Sequence, residues 1–142
     1  MSELYVVFRV GEAEYALSAR EVARLEPCEG VTPVPGGPKH LAGVAQVRGR
    51  FIPVIDLRVR FGLDPAPTGP DTRLVVGTVG ARTVALRVDR ARETVRLSEG
   101  DVAAPPRMIA ERTLGYVRGV ARVAGRALLV MDLPTVVGEE GV

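Results

Sequence analysis

An all-β chain of two small antiparallel barrels packed together is what this sequence predicts, and three observations predict it. The first is an internal repeat. Gly43 to Leu57 (GVAQVRGRFIPVIDL) and Gly119 to Leu133 (GVARVAGRALLVMDL) agree at nine of fifteen positions without a gap. A weaker pair lies upstream, Val6 to Leu17 (VVFRVGEAEYAL) against Val75 to Leu86 (VVGTVGARTVAL). The offsets are 76 and 69, so seven extra residues separate the two matches in one half. Repetition on this scale speaks to architecture before any single motif does. The second observation is composition: apolar residues make up 46%, mostly Val, Leu, Ile and Ala, with 16 Gly and 11 Pro and no Trp. Such a mixture favours strands punctuated by turns. The third is a series of short apolar runs at regular spacing, the pattern of a small barrel.

The first half opens with runs Leu4 to Val10 and Glu14 to Leu17, joined across Gly11-Glu12-Ala13 as a hairpin. Ser18-Ala19-Arg20-Glu21 reads as a capping box, with Leu17 and Val22 at the staple positions, and predicts a short helix over Ala19 to Arg24. Val31 to Pro38 is too rich in proline for a central strand and reads as an edge strand and loop. Gly43 to Val47 and Phe51 to Ile55 form a second hairpin around Arg48-Gly49-Arg50. Asp56 then caps a short helix ended by Gly62, and Gly62 to Pro70 (GLDPAPTGP) is the clearest linker.

The second half repeats the plan. Leu74 to Val79 and Thr83 to Val88 make a hairpin, Ala91 to Leu97 a strand, and Ala103 to Arg107 a proline-broken loop. Gly119 to Val123 and Arg126 to Met131 make the last hairpin, around Ala124-Gly125, and Asp132-Leu133-Pro134 repeats the Asp-capped turn. Residues 1–142 thus form a single domain whose sequence halves, 1–62 and 72–137, are two similar β-subdomains with a linker at 62–71. Halves of this size are marginal alone, so they share a core. Whether strands cross between the halves is open at the level of sequence.

Chemistry is sparse. Nucleophilic catalysis needs a nucleophile beside a positioned base, and the only histidine, His40, reads as a solvated loop residue. Cys28 stands alone, so neither an internal disulfide nor a cysteine cluster is available, and it reads as an ordinary small residue. Asp56 and Asp132 are equivalent helix caps before they are a carboxylate pair. No phosphate-binding glycine loop and no metal-ligand spacing is present, so no cofactor and no metal are expected. The chain reads as a non-enzyme. The net charge is +2, with eighteen Arg interspersed among acids, which reads as a solvated surface rather than a nucleic-acid footprint. Phe8, Phe51 and Phe61 read as core, and Tyr5, Tyr15 and Tyr116 as isolated, which argues against base-stacking platforms. No basic leader and no span-length apolar run are seen, which makes a cytoplasmic protein without membrane insertion the expectation.

The order of VVFRVGEAEYAL, EVARLEP, VTPVPGGPKHLAGVAQVRGRFIPVIDL, LRVDRARETV and GYVRGVARVAGRALLVMDL resembles the CheW-like domain family nearly end to end. LAGVAQVRGRFIPVIDLR is the most specific stretch, similar to the family pattern I-x-G-x-x-N-L-R-G-x-x-I-P-V-I-D-L-R. The resemblance implies two SH3-like five-stranded barrels sharing a hydrophobic core. It also implies a non-catalytic adaptor of bacterial chemotaxis. Such an adaptor links the cytoplasmic tip of a chemoreceptor (methyl-accepting chemotaxis protein) to the regulatory domain of a CheA-type histidine autokinase, at receptor arrays. Carried over by position, the partner-binding residues are Val22 in the short capped helix, Gly43, Arg48 and Gly49 at the central hairpin, and Val88, Asp89 and Ala91 beside a receptor groove. Gln46-Val47 replaces the usual Asn-Leu, and Ala91 and Thr94 stand where the family often has larger apolar residues, trimming the apolar rim. The alternatives are an adaptor of a pilus or other non-flagellar kinase array and, more distantly, a small-barrel binder of single-stranded nucleic acid.

Overall fold

The computed structural model describes residues 2–138, the Arg92 side chain excepted. Its strands are β1 (Ser2–Val10), β2 (Ala13–Ser18), β3 (Val22–Pro27), β4 (Leu41–Val47), β5 (Arg50–Asp56), β6 (Arg73–Val79), β7 (Arg82–Val88), β8 (Arg90–Ser98), β9 (Val102–Ala103), β10 (Val117–Val123) and β11 (Arg126–Met131). Three short helices join them: α1 (Leu57–Arg60), α2 (Arg107–Arg112) and α3 (Leu133–Val137). The strands form two sheets, one of six in the order β8-β1-β2-β11-β10-β9 and one of five in the order β3-β6-β7-β5-β4. The all-β reading therefore holds.

The sheets do not follow the sequence halves. The five-stranded sheet draws its strands from one unbroken stretch, 22–88, which includes the linker. The six-stranded sheet joins the N-terminal hairpin β1–β2 to everything after residue 89. Two parallel ladders do the joining: β5 beside β7, with Val54 opposite Ala85, and β11 beside β2, with Val130 opposite Ala16. Val54 and Val130 are repeat partners, and so are Ala85 and Ala16. The duplication is therefore one contact made twice, between the strongly matched hairpin and the weakly matched one.

Three apolar clusters result. Tyr5, Val7, Ala16, Leu97, Ala121, Leu128 and Val130 fill the six-stranded unit, and Cys28, Ala45, Ile52, Val54, Leu74, Val76 and Ala85 fill the five-stranded one. The largest cluster lies between them, where Phe8, Val10 and Leu17 meet Ile55, Val75, Leu86, Val88, Met131 and Leu133. Burying side chains of this size contributes about 1.5–3 kcal/mol each, so neither unit would keep its stability without the other.

Several local expectations are corrected. The helix expected over Ala19 to Arg24 is a single 3-10 turn, Ala19–Glu21, and Val22 already opens β3. Ser18 Oγ accepts from Arg20 N at 3.3 Å, but the β-branched Val22 leaves for the sheet, where it stands opposite Gly77. Of Val31 to Pro38, only Thr32 pairs, bridging Val44. The proline-broken loop expected over Ala103 to Arg107 is present but shorter, residues 104–106, with Ala103 closing β9 and Arg107 opening α2. Pro106 stands just before that helix, where a proline costs nothing, and Arg-Met-Ile-Ala-Glu-Arg are good helix formers. Asp56 caps α1 by accepting from Arg58 N at 2.9 Å, whereas Asp132 makes no such bond. The residue two positions beyond Asp132 is Pro134, which has no N–H, and the Asp132 carboxylate accepts from the Thr135 hydroxyl instead.

Candidate functional site

Arg48 and Gly49 form the two-residue turn between β4 and β5, with φ of 50° and 82°. Both residues are left-handed, the geometry that matches the twist of a tight hairpin. The repeat turn Ala124-Gly125 has φ of 50° and 80°, so the two backbones agree and only the side chains differ. Arg48 projects into solvent with 70% of its side chain exposed, touching Glu26 at 3.5 Å. An exposed pair of that length contributes little to stability. Arg48 is accordingly free to serve another molecule.

Gly43 does something else. It is buried at a register shift between β4 and β5, with φ of 146°. A Cβ there would stand 2.0 Å from the Thr32 carbonyl oxygen. Its part is to let the Thr32 backbone close on Val44, through hydrogen bonds of 2.8 and 2.9 Å, rather than to present a surface.

Val22 packs half-buried against the shared core. Its neighbours along the chain line two concave surfaces. Beyond Ala23 and Arg24 lies an open cavity of ≈ 340 Å³ that also takes in Arg48. Before it, Arg20 borders a wider groove of ≈ 830 Å³ with Glu3, Leu97, Val102 and Arg118. Arg20 grips Glu3 with two nitrogens, at 3.1 and 3.2 Å, and the Ser18 hydroxyl donates to the same carboxylate. The Ser18 bond first, and the Arg20 charge after the opposing effect of burial, hold the Glu3 carboxyl below its ordinary range. Burial pushes the nearby Glu21 carboxyl the other way, against the attraction of Arg118. A carboxyl with a depressed folded-state pKa adds stability above its unfolded pKa and loses it as pH falls through the folded one. Glu3→Gln is therefore expected to cost stability at neutral pH, with the gap from the parent closing as pH falls below the ordinary glutamate range. Urea unfolding at a series of pH values checks this, and a gap independent of pH would show that the carboxylate charge plays no part.

Val88, Asp89 and Ala91 lie where the chain passes from one sheet to the other. The Val88 side chain is 1% exposed and packs in the shared core, so it offers no partner surface, and Ala91 packs half-buried against the same cluster. Asp89 is a brace: its Oδ2 accepts from Gly11 N at 2.7 Å and from Arg58 at 2.8 Å. Strand β5 runs from Arg50, beside the Arg48 turn, to Asp56, opposite Arg87 of β7. Seven residues of strand put roughly 20 Å between those ends. The predicted residues thus divide. Val22, Arg48 and Gly49 gather at one end of the five-stranded sheet, and Val88, Asp89 and Ala91 secure the other.

Some functional-looking residues behave differently from their sequence reading. Phe51 is 72% exposed, not core; strict alternation with buried Ile52 and Val54 places it outside. Tyr15 and Tyr116 are not isolated, because Phe8, Tyr15, Phe61 and Tyr116 form a ladder with neighbouring ring centroids 5.8, 5.0 and 5.4 Å apart. Tyr5 is buried, and its hydroxyl lies 3.1 Å from Arg118. His40 is buried rather than solvated, its Nδ1 lying 3.2 Å from Arg60, and its carbonyl accepts from Asp56 N at 2.8 Å. Among the described residues, no three His, Cys, Asp or Glu side chains converge as metal ligands do. No described helix is long and apolar enough to cross a membrane.

Comparison with known proteins agrees with this architecture along its whole length. Residues 4–141 match the family described as CheW-like domain. Chemotaxis protein CheW of Bacillus subtilis is 29% identical over 138 residues, covering 97% of this chain and 88% of its own. Protein FrzA of Myxococcus xanthus is 31% identical over 117 residues, covering 80% of this chain and 73% of its own. The crystal structure of the scaffolding protein TtCheW from Thermoanaerobacter tengcongensis superposes with a TM-score of 0.90 at 26% identity, covering 100% of this chain and 97% of that one.

Proposed function

The chain belongs to the CheW-like domain family, and from that premise we propose that it is a non-catalytic adaptor in a chemotaxis-type signalling array. It couples the cytoplasmic tip of a chemoreceptor to the regulatory domain of a CheA-type histidine autokinase, working in the cytoplasm against the inner face of the membrane. The observation that carries the reading is the exposed Arg48 on a hairpin whose duplicate, with the same backbone, has Ala124 in its place. A side chain that the fold tolerates as alanine in one copy is unneeded for folding, which leaves it to contact a partner.

The groove beside Arg20 is shaped to receive a helical receptor tip, with Leu97 and Val102 on its walls. The smaller cavity beside Arg48 shares no lining residue with that groove, so two partners can dock at once, while Val22 packs against the shared core beneath. Interfaces of this kind are small and depend on a few anchors. Arg48→Glu is expected to weaken capture of one partner roughly tenfold or more while leaving the melting temperature within a degree or so. Calorimetric titration with a receptor-tip peptide and with a kinase regulatory domain reads both arms. Parent-like affinity for both would remove Arg48 from the contact surface, and failure of the parent to capture either would sink the adaptor role.

A second reading keeps the adaptor and changes the pathway. FrzA, 31% identical over 117 residues, does not carry the chemotaxis name, and its likeness to this chain is the observation behind a non-flagellar array as the second reading. Deletion of the gene followed by separate swimming and surface-motility assays distinguishes the two.

A further inference from the structure

The open end of the five-stranded unit combines two features that seldom meet by accident. Its floor is apolar: Ile52 and Val76, 4% and 3% exposed, belong to the unit's own core, and Val47 packs against them. Its rim is cationic. Arg24 stands on the half-buried side of edge strand β3, and Arg48 and Arg50 stand at the hairpin that closes over it, all lining one cavity of ≈ 340 Å³. The nearest counter-charge is Glu26, 3.5 Å from Arg48. Among the described residues, neither Arg24 nor Arg50 enters an ion pair. Like charges around an apolar cup repel one another and lower the stability of the folded state unless an opposite charge arrives.

We propose that this cup docks an acidic protein segment that presents one aliphatic side chain between carboxylates, the side chain entering over Ile52 and Val76 and the carboxylates meeting Arg24, Arg48 and Arg50. The inference rests on the adaptor reading for the identity of the partner as a signalling protein, and it adds the chemistry by which that partner is read. Guanidinium groups take carboxylates two-pronged, which fixes orientation as well as charge. A partner with lysines at the same positions is rejected, so Arg24 and Arg50 set specificity while the apolar floor supplies the anchor.

The test uses the full chain, isotopically labelled, and two blocked pentapeptides: one leucine flanked by pairs of glutamates, and the same peptide with lysines for glutamates. Expected are methyl shifts at Val47, Ile52 and Val76 with the acidic peptide, none with the basic one, and at least a tenfold loss of affinity between about 20 and 500 mM salt. The double variant Arg24→Ala, Arg50→Ala loses the shifts with a melting temperature no lower than the parent's. No shifts, shifts elsewhere, or equal response to both peptides would overturn the proposal. So would a double variant that binds normally and merely self-associates, because the arginines would then only guard a sheet edge. Failure of the adaptor reading looks different: neither the receptor tip nor the kinase domain is captured by the parent chain, while the acidic peptide still binds in the cup.

Discussion

Gly43→Ala is expected to lower the free energy of unfolding by about 3 kcal/mol or more, enough to drop the melting temperature by roughly 10 °C. The reason is a backbone collision rather than a lost contact. The added Cβ would stand 2.0 Å from the Thr32 carbonyl oxygen, 2.6 Å from its carbon and 2.9 Å from Pro33 Cα, none of which can rotate away. The residue also holds φ of 146°, where an L side chain is strained regardless of space. Relief requires the segment around Thr32 to lift from β4, and with it the two hydrogen bonds to Val44.

The repeat supplies the control. Gly119 is the equivalent of Gly43, and the pairing of Ala103 with Val120 is the equivalent of Thr32 with Val44. At Gly119, however, the nearest obstacle is the tip of a side chain, Val102 Cγ1 at 2.5 Å, and its φ is unremarkable. Gly119→Ala is therefore expected to cost clearly less than Gly43→Ala under the same thermal melt. Equal costs would mean that the Thr32 segment is loosely held and that the collision at Gly43 is easily relieved. A structural reading of Gly43 also separates it from Arg48: loss of partner binding in a Gly43 variant is expected to track loss of fold, and in an Arg48 variant to occur without it.

The contrast between Gly43 and Arg48 shows where sequence reasoning reached and where it stopped. The repeat carried the strands, both hairpin turns and the equivalence of the halves, because each of these is set by residues close together in the chain. The parallel ladders β5–β7 and β11–β2 join segments that no local pattern connects, so the repeat alone left the exchange of hairpins undecided. Val88 and Val22 show the same limit. Both are apolar residues in strand-like runs, and only the packing of one sheet on the other decides that the first is 1% exposed and the second half-buried. Phe51 was within reach, since alternation with Ile52 and Val54 already places its ring on the outer face. His40 was not, because its burial follows from Arg60, which arrives twenty residues later from α1.

Arg87 is the second residue whose loss should be severe. It faces Asp56 across the parallel ladder, both side chains only 10% exposed and 3.5 Å apart. Its other nitrogen donates to the Ala66 carbonyl at 2.9 Å and to Thr68 Oγ1 at 3.1 Å. One guanidinium therefore neutralises the cap of α1 and ties the proline-rich linker to the sheet that the linker interrupts. Removing one member of a buried pair strands the other charge, so Arg87→Ala is expected to cost about 3–5 kcal/mol. The linker should respond separately, with faster amide exchange and new proteolytic cleavage near Ala66 to Thr68 below the global unfolding transition. The double variant Asp56→Asn, Arg87→Met removes both charges, keeps the cap acceptor and most of the volume, and should recover a large part of the loss in urea unfolding. It cannot recover the linker, whose two bonds came from Arg87 alone. If the double variant were no more stable than Arg87→Ala, the stranded charge would not be the cause of the damage. The linker bonds would then carry most of what Arg87 contributes.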